Sequence, residues 1–116
     1  MTPQETLAMA RELLTRSDAK AAGVWPRAAA LLARQALEQA IDEYWQRRDM
    51  GAFAQLPTAP QLICLREYLD DSALAETMSH VWGALTEACH HHPYELAPSL
   101  EELDGWIASL HELALA

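Results

Sequence analysis

The stretch from Trp25 to Asp49, WPRAAALLARQALEQAIDEYWQRRD, is the feature that most constrains the fold. Apolar residues recur in it at spacings of three and four, which is the period of an amphipathic helix. These residues are Ala30, Ala33, Leu37, Ala40, Ile41 and Tyr44. Pro26 suits the first turn of such a helix, and Gly51 lies just past its expected end. The stretch predicts one long helix, whose small alanine side chains allow another helix to approach closely.

Four further segments carry signals for helices. Capping-box patterns, in which Ser or Thr precedes Glu or Gln by three residues, predict helix starts at 2–5, 58–61 and 99–102. Asp71 is expected to cap another helix, with the apolar stripe Leu74, Met78, Val81, Leu85 and Ala88. The first helix is expected to end near Arg16, and AFAQLP at 52–57 to be a connector. Residues 1–116 are therefore predicted to form one all-α domain, an antiparallel bundle of four to five helices.

Charge and cysteine content narrow the class of protein. The formal net charge is −9. A protein that binds nucleic acid over its whole surface usually carries a positive net charge, because its Lys and Arg side chains neutralise phosphates. Binding of RNA or DNA would therefore require a local basic patch or a partner. The two cysteines are too few for a disulfide scaffold, and no apolar run approaches the length of a membrane span. The chain also begins without a signal-peptide pattern, so we expect a cytoplasmic protein with reduced thiols and no membrane partner.

The stretch ALTEACHHHPYEL, residues 84–96, holds most of the functional information. On an ideal helix His92 continues the stripe of Leu85 and Ala88, and Pro93 disfavours the helical conformation just before it. The simplest interpretation is a histidine that bonds the last carbonyls of a helix. A zinc site built from Cys89 and His92 lacks two further ligands at recognisable spacing. We therefore expect no metal and no other cofactor.

The same stretch, preceded by the helix RAAALLARQALEQAIDEYW, resembles the HEPN domain family over residues 24–113. Members are small α-helical bundles, usually dimers, and many are metal-independent ribonucleases of toxin–antitoxin, phage-defence or CRISPR systems. The family motif is an arginine followed after four to six residues by a histidine, often continuing as His-x-Tyr. His92-Pro93-Tyr94 matches the end of this motif, whereas Glu87 stands where the arginine is expected.

The resemblance implies roles for single residues. His92 would act in proton transfer, while the missing arginine would stabilise the scissile phosphate of RNA. Glu87 in its place would cost about 6 kcal/mol at about 5 Å and an effective dielectric of about 20. Tyr94 resembles the hydroxyl that accepts AMP from a nucleotidyltransferase antitoxin; alternatively, it is a loop tyrosine packed over the helix end. Arg34 and Arg66 are the candidates for RNA binding.

Three hypotheses remain open from the sequence. The first is a HEPN-like homodimer of a toxin–antitoxin or phage-defence system, with ribonuclease activity weakened or lost through Glu87. Its partners would be a nucleotidyltransferase antitoxin or a larger defence effector, with RNA as a candidate ligand. The second is a non-catalytic helical adaptor that binds a protein through its acidic faces. The third is an active ribonuclease in which Arg34 or Arg66 replaces the motif arginine.

Overall fold

The computed structural model describes residues 1–15, 25–90 and 98–116, and for Trp25 only the backbone. The described part is helical and contains no strand, which confirms the prediction of an all-α bundle. None of its helices is long and apolar enough to cross a bilayer. The elements are α1 (Pro3–Thr15), α2 (Trp25–Arg47), a short 3-10 helix η1 (Gly51–Gln55), α3 (Thr58–Tyr68), α4 (Ser72–Cys89) and α5 (Leu100–Leu115).

The alanine-rich stripe of α2 lies at the centre of the bundle. Helix α2 packs against α1, α4, α5 and η1, and the side chains of its stripe are buried. Alanine permits this close packing because its side chain adds little to the distance between helix axes. The stripe therefore packs against other helices of the same chain. It is therefore not available for contact with a second chain, and the expected homodimer rests on the family resemblance alone.

Polar contacts between helices indicate that neighbours run antiparallel. Thr6, near the start of α1, donates a 2.8 Å hydrogen bond to Oε1 of Gln39 in the later half of α2. Arg11, in the later half of α1, forms a 2.9 Å ion pair with Asp104, near the start of α5. Contacts between the beginning of one helix and the later part of the next are those that antiparallel neighbours make.

Most predicted helix starts are confirmed. The Thr2–Glu5 box has both reciprocal hydrogen bonds, as does the Ser99–Glu102 box. Asp71 caps α4 by accepting a 3.1 Å hydrogen bond from the backbone N–H of Leu74. These side chains satisfy backbone donors that have no partner inside the helix.

The capping box predicted at Thr58–Gln61 is wrong. The residue that caps α3 is Pro57, and no side chain bonds to the free N–H groups of this helix end. The Gln61 side chain is instead buried, where Oε1 accepts from the indole of Trp45 and Nε2 donates to the carbonyl of Leu56. Burial of the tryptophan N–H requires an acceptor, and Gln61 supplies it in preference to a local cap.

The end of α2 also differs from the prediction. The residue with left-handed backbone is Asp49, with φ 56°, and Gly51 does not have positive φ. The N–H of Met50 bonds the carbonyl of Trp45, and the N–H of Asp49 bonds that of Gln46, which together form a Schellman motif. Gly51 begins η1, so most of the predicted connector 52–57 is a 3-10 turn.

Candidate functional site between α2 and α4

The structure describes only part of the predicted site. His92 and Tyr94 lie in the stretch 91–97, outside the described residues. Helix α4 ends at Cys89, with His90 as its C-cap. Nδ1 of His90 lies 2.6 Å from the carbonyl oxygen of Thr86, a carbonyl left free by the end of the helix. His90 therefore makes the kind of contact with a helix-end carbonyl that the sequence predicts for His92.

Arg34 of α2 is at the centre of a group of polar side chains between α2 and α4, which we call the α2–α4 groove. The group consists of Arg34, Glu38, Trp82, Thr86 and Cys89. Its Nε lies 3.1 Å from Oε1 of Glu38, one turn further along the same helix. Its guanidinium carbon lies 5.9 Å from the centroid of the Trp82 ring on α4. The Arg34 side chain is 31% exposed and that of Glu38 43%, so this helix pair is open to solvent. Arg34 is held between two helices and remains open to solvent on one side.

Cys89 borders the same guanidinium. Burial raises the pKa of the Cys89 thiol above its ordinary value, and this effect outweighs the charge and the hydrogen bond of Arg34, which lower it. Glu38 raises this pKa further and Arg27 lowers it, both through their charges. At neutral pH Cys89 is therefore a protonated thiol rather than a nucleophilic thiolate. Its sulfur accepts the hydrogen bond of Arg34, and its S–H is a weak donor.

Two polar atoms of this groove have no hydrogen-bond partner. Nε1 of Trp82 and Oγ1 of Thr86 are both buried and unpaired. Trp82, Thr86 and Cys89 are spaced by four and three residues, so they lie on one face of α4. Thr86 lies between the two residues of α4 that border Arg34. An unpaired buried polar group typically destabilises a fold by about 1–3 kcal/mol.

Glu87 and Arg66 lie away from this groove. Glu87 is exposed, and a rotation of about 100° per residue places it on a different face of α4 from Thr86 and Cys89. Arg66 is exposed on α3. That helix meets α2 at Trp45, about 16 Å along the axis from Arg34 at about 1.5 Å per residue. Of the two arginines predicted for RNA binding, the structure brings only Arg34 to the end of α4.

Sequence reasoning missed Trp82 and Thr86. Their helical spacing with Cys89 was available as a signal, but only the position of α2 shows that this face meets Arg34. In the described part of the chain no three His, Cys, Asp or Glu side chains are grouped closely enough to hold a metal ion. Comparison with protein-family models, with curated proteins and with solved structures gives no match for this chain.

Proposed function

We propose that this chain is a HEPN-like helical domain of a toxin–antitoxin or phage-defence system, with weak, metal-independent endoribonuclease activity. The observation that carries the proposal is the position of Arg34. Its guanidinium borders Trp82 and Cys89 on α4, and the sequence His92-Pro93-Tyr94 follows Cys89 by three residues. Arg34 thus supplies the cation that the family motif lacks, beside the helix end from which the histidine motif continues.

The proposal assigns the weakness of cleavage to Glu38 rather than to Glu87. Glu38 lies 3.1 Å from Arg34 and competes with a phosphate for its charge. Glu87 is exposed on another face of α4, so its repulsion of a phosphate at Arg34 is screened by water. In this scheme the RNA 2′-oxygen bonds to phosphorus while the bond from phosphorus to the 5′-oxygen breaks, which gives a 2′,3′-cyclic phosphate and a free 5′-hydroxyl. Arg34 stabilises the charge on the phosphate, and His92 acts in the transfer of the proton from the 2′-hydroxyl to the leaving 5′-oxygen.

The test is incubation of the pure protein with total RNA and tRNA in EDTA. We expect slow cleavage that His92→Ala and Arg34→Gln abolish and that Glu38→Gln increases, with little effect of Glu87→Arg. Arg11→Gln is the matched control because Arg11 also pairs with a carboxylate, at 2.9 Å, but on α1. If Glu87→Arg increases RNA cleavage and Arg34→Gln does not reduce it, Glu87 and not Arg34 occupies the position of the motif arginine.

Two partner proposals follow from the same resemblance. A nucleotidyltransferase antitoxin would add AMP to Tyr94, which places negative charge where RNA phosphate binds. Mass spectrometry after co-expression of the two proteins measures this modification, and AMP on another residue would exclude Tyr94. A homodimer is the second proposal, and light scattering at micromolar concentration measures it; a monomer mass would exclude a site shared by two chains.

The adaptor remains a second candidate because α3 exposes apolar side chains. Ile63 is 65% exposed and Tyr68 47%, and Leu56 just before the helix is 40% exposed. Exposed side chains of this size are common at protein-binding surfaces. The RNA assay separates the two candidates, since an adaptor leaves RNA intact in the wild type and also in Glu38→Gln and Glu87→Arg.

A further inference from the structure

The groove between α2 and α4 is rich in hydrogen-bond donors. The guanidinium of Arg34 and the indole N–H of Trp82 only donate, and the thiol of Cys89 and the hydroxyl of Thr86 are also able to donate. Among the residues that the structure describes, the charged acceptor bonded to Arg34 is the carboxylate of Glu38. Several donors beside one charged acceptor are chemically suited to an anion with several oxygen atoms.

The two unpaired atoms give this groove a second, independent property. Nε1 of Trp82 and Oγ1 of Thr86 are buried without partners, although buried polar groups are nearly always bonded. The other threonine of α4 shows how such a hydroxyl is usually paired, since the Thr77 hydroxyl donates to the carbonyl of Ala73 at 2.9 Å. Thr86 is thus able to bond its own helix and does not. Each unsatisfied group of this kind needs an explanation, and a bound ion is one of them.

We propose that this groove is a receptor for an oxyanion of the phosphate class, held by Arg34, Thr86 and Trp82. The anion exchanges with the Glu38 carboxylate, which is 43% exposed and therefore free to swing into solvent. The proposal requires the anion to reach the guanidinium from its exposed side, and the buried Thr86 hydroxyl to rotate about its first side-chain torsion. It also requires a small shift of the Arg34 side chain, because Nε1 of Trp82 is buried.

The proposal deepens the proposed function by naming the groups that hold the RNA phosphate, and for that ligand it rests on the proposed function. The anion receptor itself depends only on the donors of the groove. Inorganic phosphate is therefore the probe, because it carries the shared chemistry without a nucleoside or a cleavable bond. Binding to phosphate alone and cleavage of RNA are then measured separately.

The experiment follows the indole N–H signals by two-dimensional NMR while phosphate replaces chloride at constant ionic strength. The chain has four tryptophans, and Trp82→Phe assigns one signal while keeping an aromatic ring. We expect the Trp82 signal to move saturably and the Trp45 signal to stay constant, because the Trp45 indole is bonded to Gln61 at 3.1 Å. Equal movement of both signals, or a Trp82 signal that does not move, would overturn the proposal.

Variants test each donor. Arg34→Gln is expected to weaken phosphate binding at least tenfold and Thr86→Val about tenfold, the range for hydrogen bonds to charged groups. Glu38→Gln is expected to tighten it, because the competing anion is removed. Arg11→Gln and Thr77→Val are the matched controls and should leave the titration unchanged. An Arg34→Gln titration identical to that of the wild type contradicts the proposal.

The melting temperature of Thr86→Val shows whether a loss of phosphate binding comes from the missing hydroxyl or from a damaged fold. Without phosphate, Thr86→Val should melt a few degrees above the wild type, since an unpaired buried hydroxyl is replaced by a methyl group of similar size. A variant that is more stable yet binds phosphate less has lost the receptor and kept the fold. Loss of binding together with a lower melting temperature contradicts this role of the hydroxyl.

The two proposals fail in different ways. If the Trp82 signal responds saturably to phosphate but no variant cleaves RNA, the anion receptor stands and the ribonuclease does not. If RNA is cleaved in a manner that depends on His92 while the Trp82 signal is silent, the receptor is overturned and the ribonuclease stands.

Discussion

The indole N–H of Trp45 donates a 3.1 Å hydrogen bond to Oε1 of Gln61, and both residues are buried. The other end of the same amide donates to the carbonyl of Leu56 at 2.6 Å. The Trp45 ring stacks on Phe53 of η1, with centroids 4.9 Å apart. One glutamine side chain therefore joins α2 to the segment between η1 and α3.

We expect Gln61→Leu to lower the free energy of unfolding by about 1–3 kcal/mol. The substitution leaves the buried Trp45 donor and the Leu56 carbonyl without partners, and each unpaired group is destabilising. Urea unfolding measures the change, and Gln55→Leu is the control because Gln55 is exposed in η1. A loss no larger than that of the control would show that Trp45 finds another acceptor.

Asp71 and Thr58 give a direct test of which residue caps a helix. Asp71→Ala should cost about 1 kcal/mol, because the backbone N–H of Leu74 loses its acceptor. Thr58→Ala should be close to neutral, because Thr58 is the first residue of α3 and not its cap. Equal losses in urea unfolding would mean that Thr58 acts as a cap in solution.

The contrast between these two positions shows what the sequence predicts well. Apolar periodicity located the helices correctly, and the capping-box pattern located two helix starts correctly. Both signals depend on residues within one or two turns of each other. The same local pattern failed at Thr58–Gln61, where the buried indole of Trp45, sixteen positions before Gln61 in the sequence, takes the glutamine. Local patterns do not contain such tertiary competition, so the sequence alone could not resolve it.

Asp49 carries the left-handed backbone at the end of α2, with φ 56°. Asp49→Gly should be more stable than Asp49→Ala by about 1–2 kcal/mol, since only glycine adopts this region without steric cost. Thermal unfolding of the pair measures the difference. At Ala108, exposed within α5, glycine should instead destabilise by about 0.5–1 kcal/mol. If glycine is less stable than alanine at both positions, residue 49 does not have the left-handed conformation.

Alkaline pH should weaken the fold through Cys89. Burial raises the pKa of its thiol in the folded state, while in the unfolded chain it titrates near its ordinary value of about 8.5. The unfolded state then loses the proton first, so this contribution to stability is complete below about pH 8.5 and is lost as pH rises toward the folded pKa.

The measurement is the free energy of unfolding between about pH 7 and pH 10. In Cys89→Ala the free energy of unfolding should decline less as pH rises. In Cys64→Ala, which removes the other thiol, the decline should be the same as in the wild type. The pKa of Tyr44 is also raised by burial, and its contribution is common to both variants. Parallel pH curves for the two variants would show that the Cys89 thiol is not the group responsible.

The candidate site was less accessible to sequence reasoning than the fold. Spacing along the chain puts Glu87 at the position of the motif arginine, and in the structure Glu87 lies on an exposed face of α4. Arg34 is far from the histidine stretch in sequence, but it borders Cys89 because α2 packs against α4. A motif defined by spacing identifies neighbours along one helix and does not identify residues supplied by another.

The alanine stripe of α2 provides the last prediction. Ala33 is fully buried within the bundle, so Ala33→Leu should lower the free energy of unfolding by about 1–3 kcal/mol through overpacking. Gln35→Leu, which places the same side chain at an exposed position of α2, should change it by less than about 0.5 kcal/mol. The mass of the folded protein in light scattering should be the same for both variants and the wild type. An Ala33→Leu protein of unchanged stability but altered mass would mean that the stripe packs against a second chain and not inside its own.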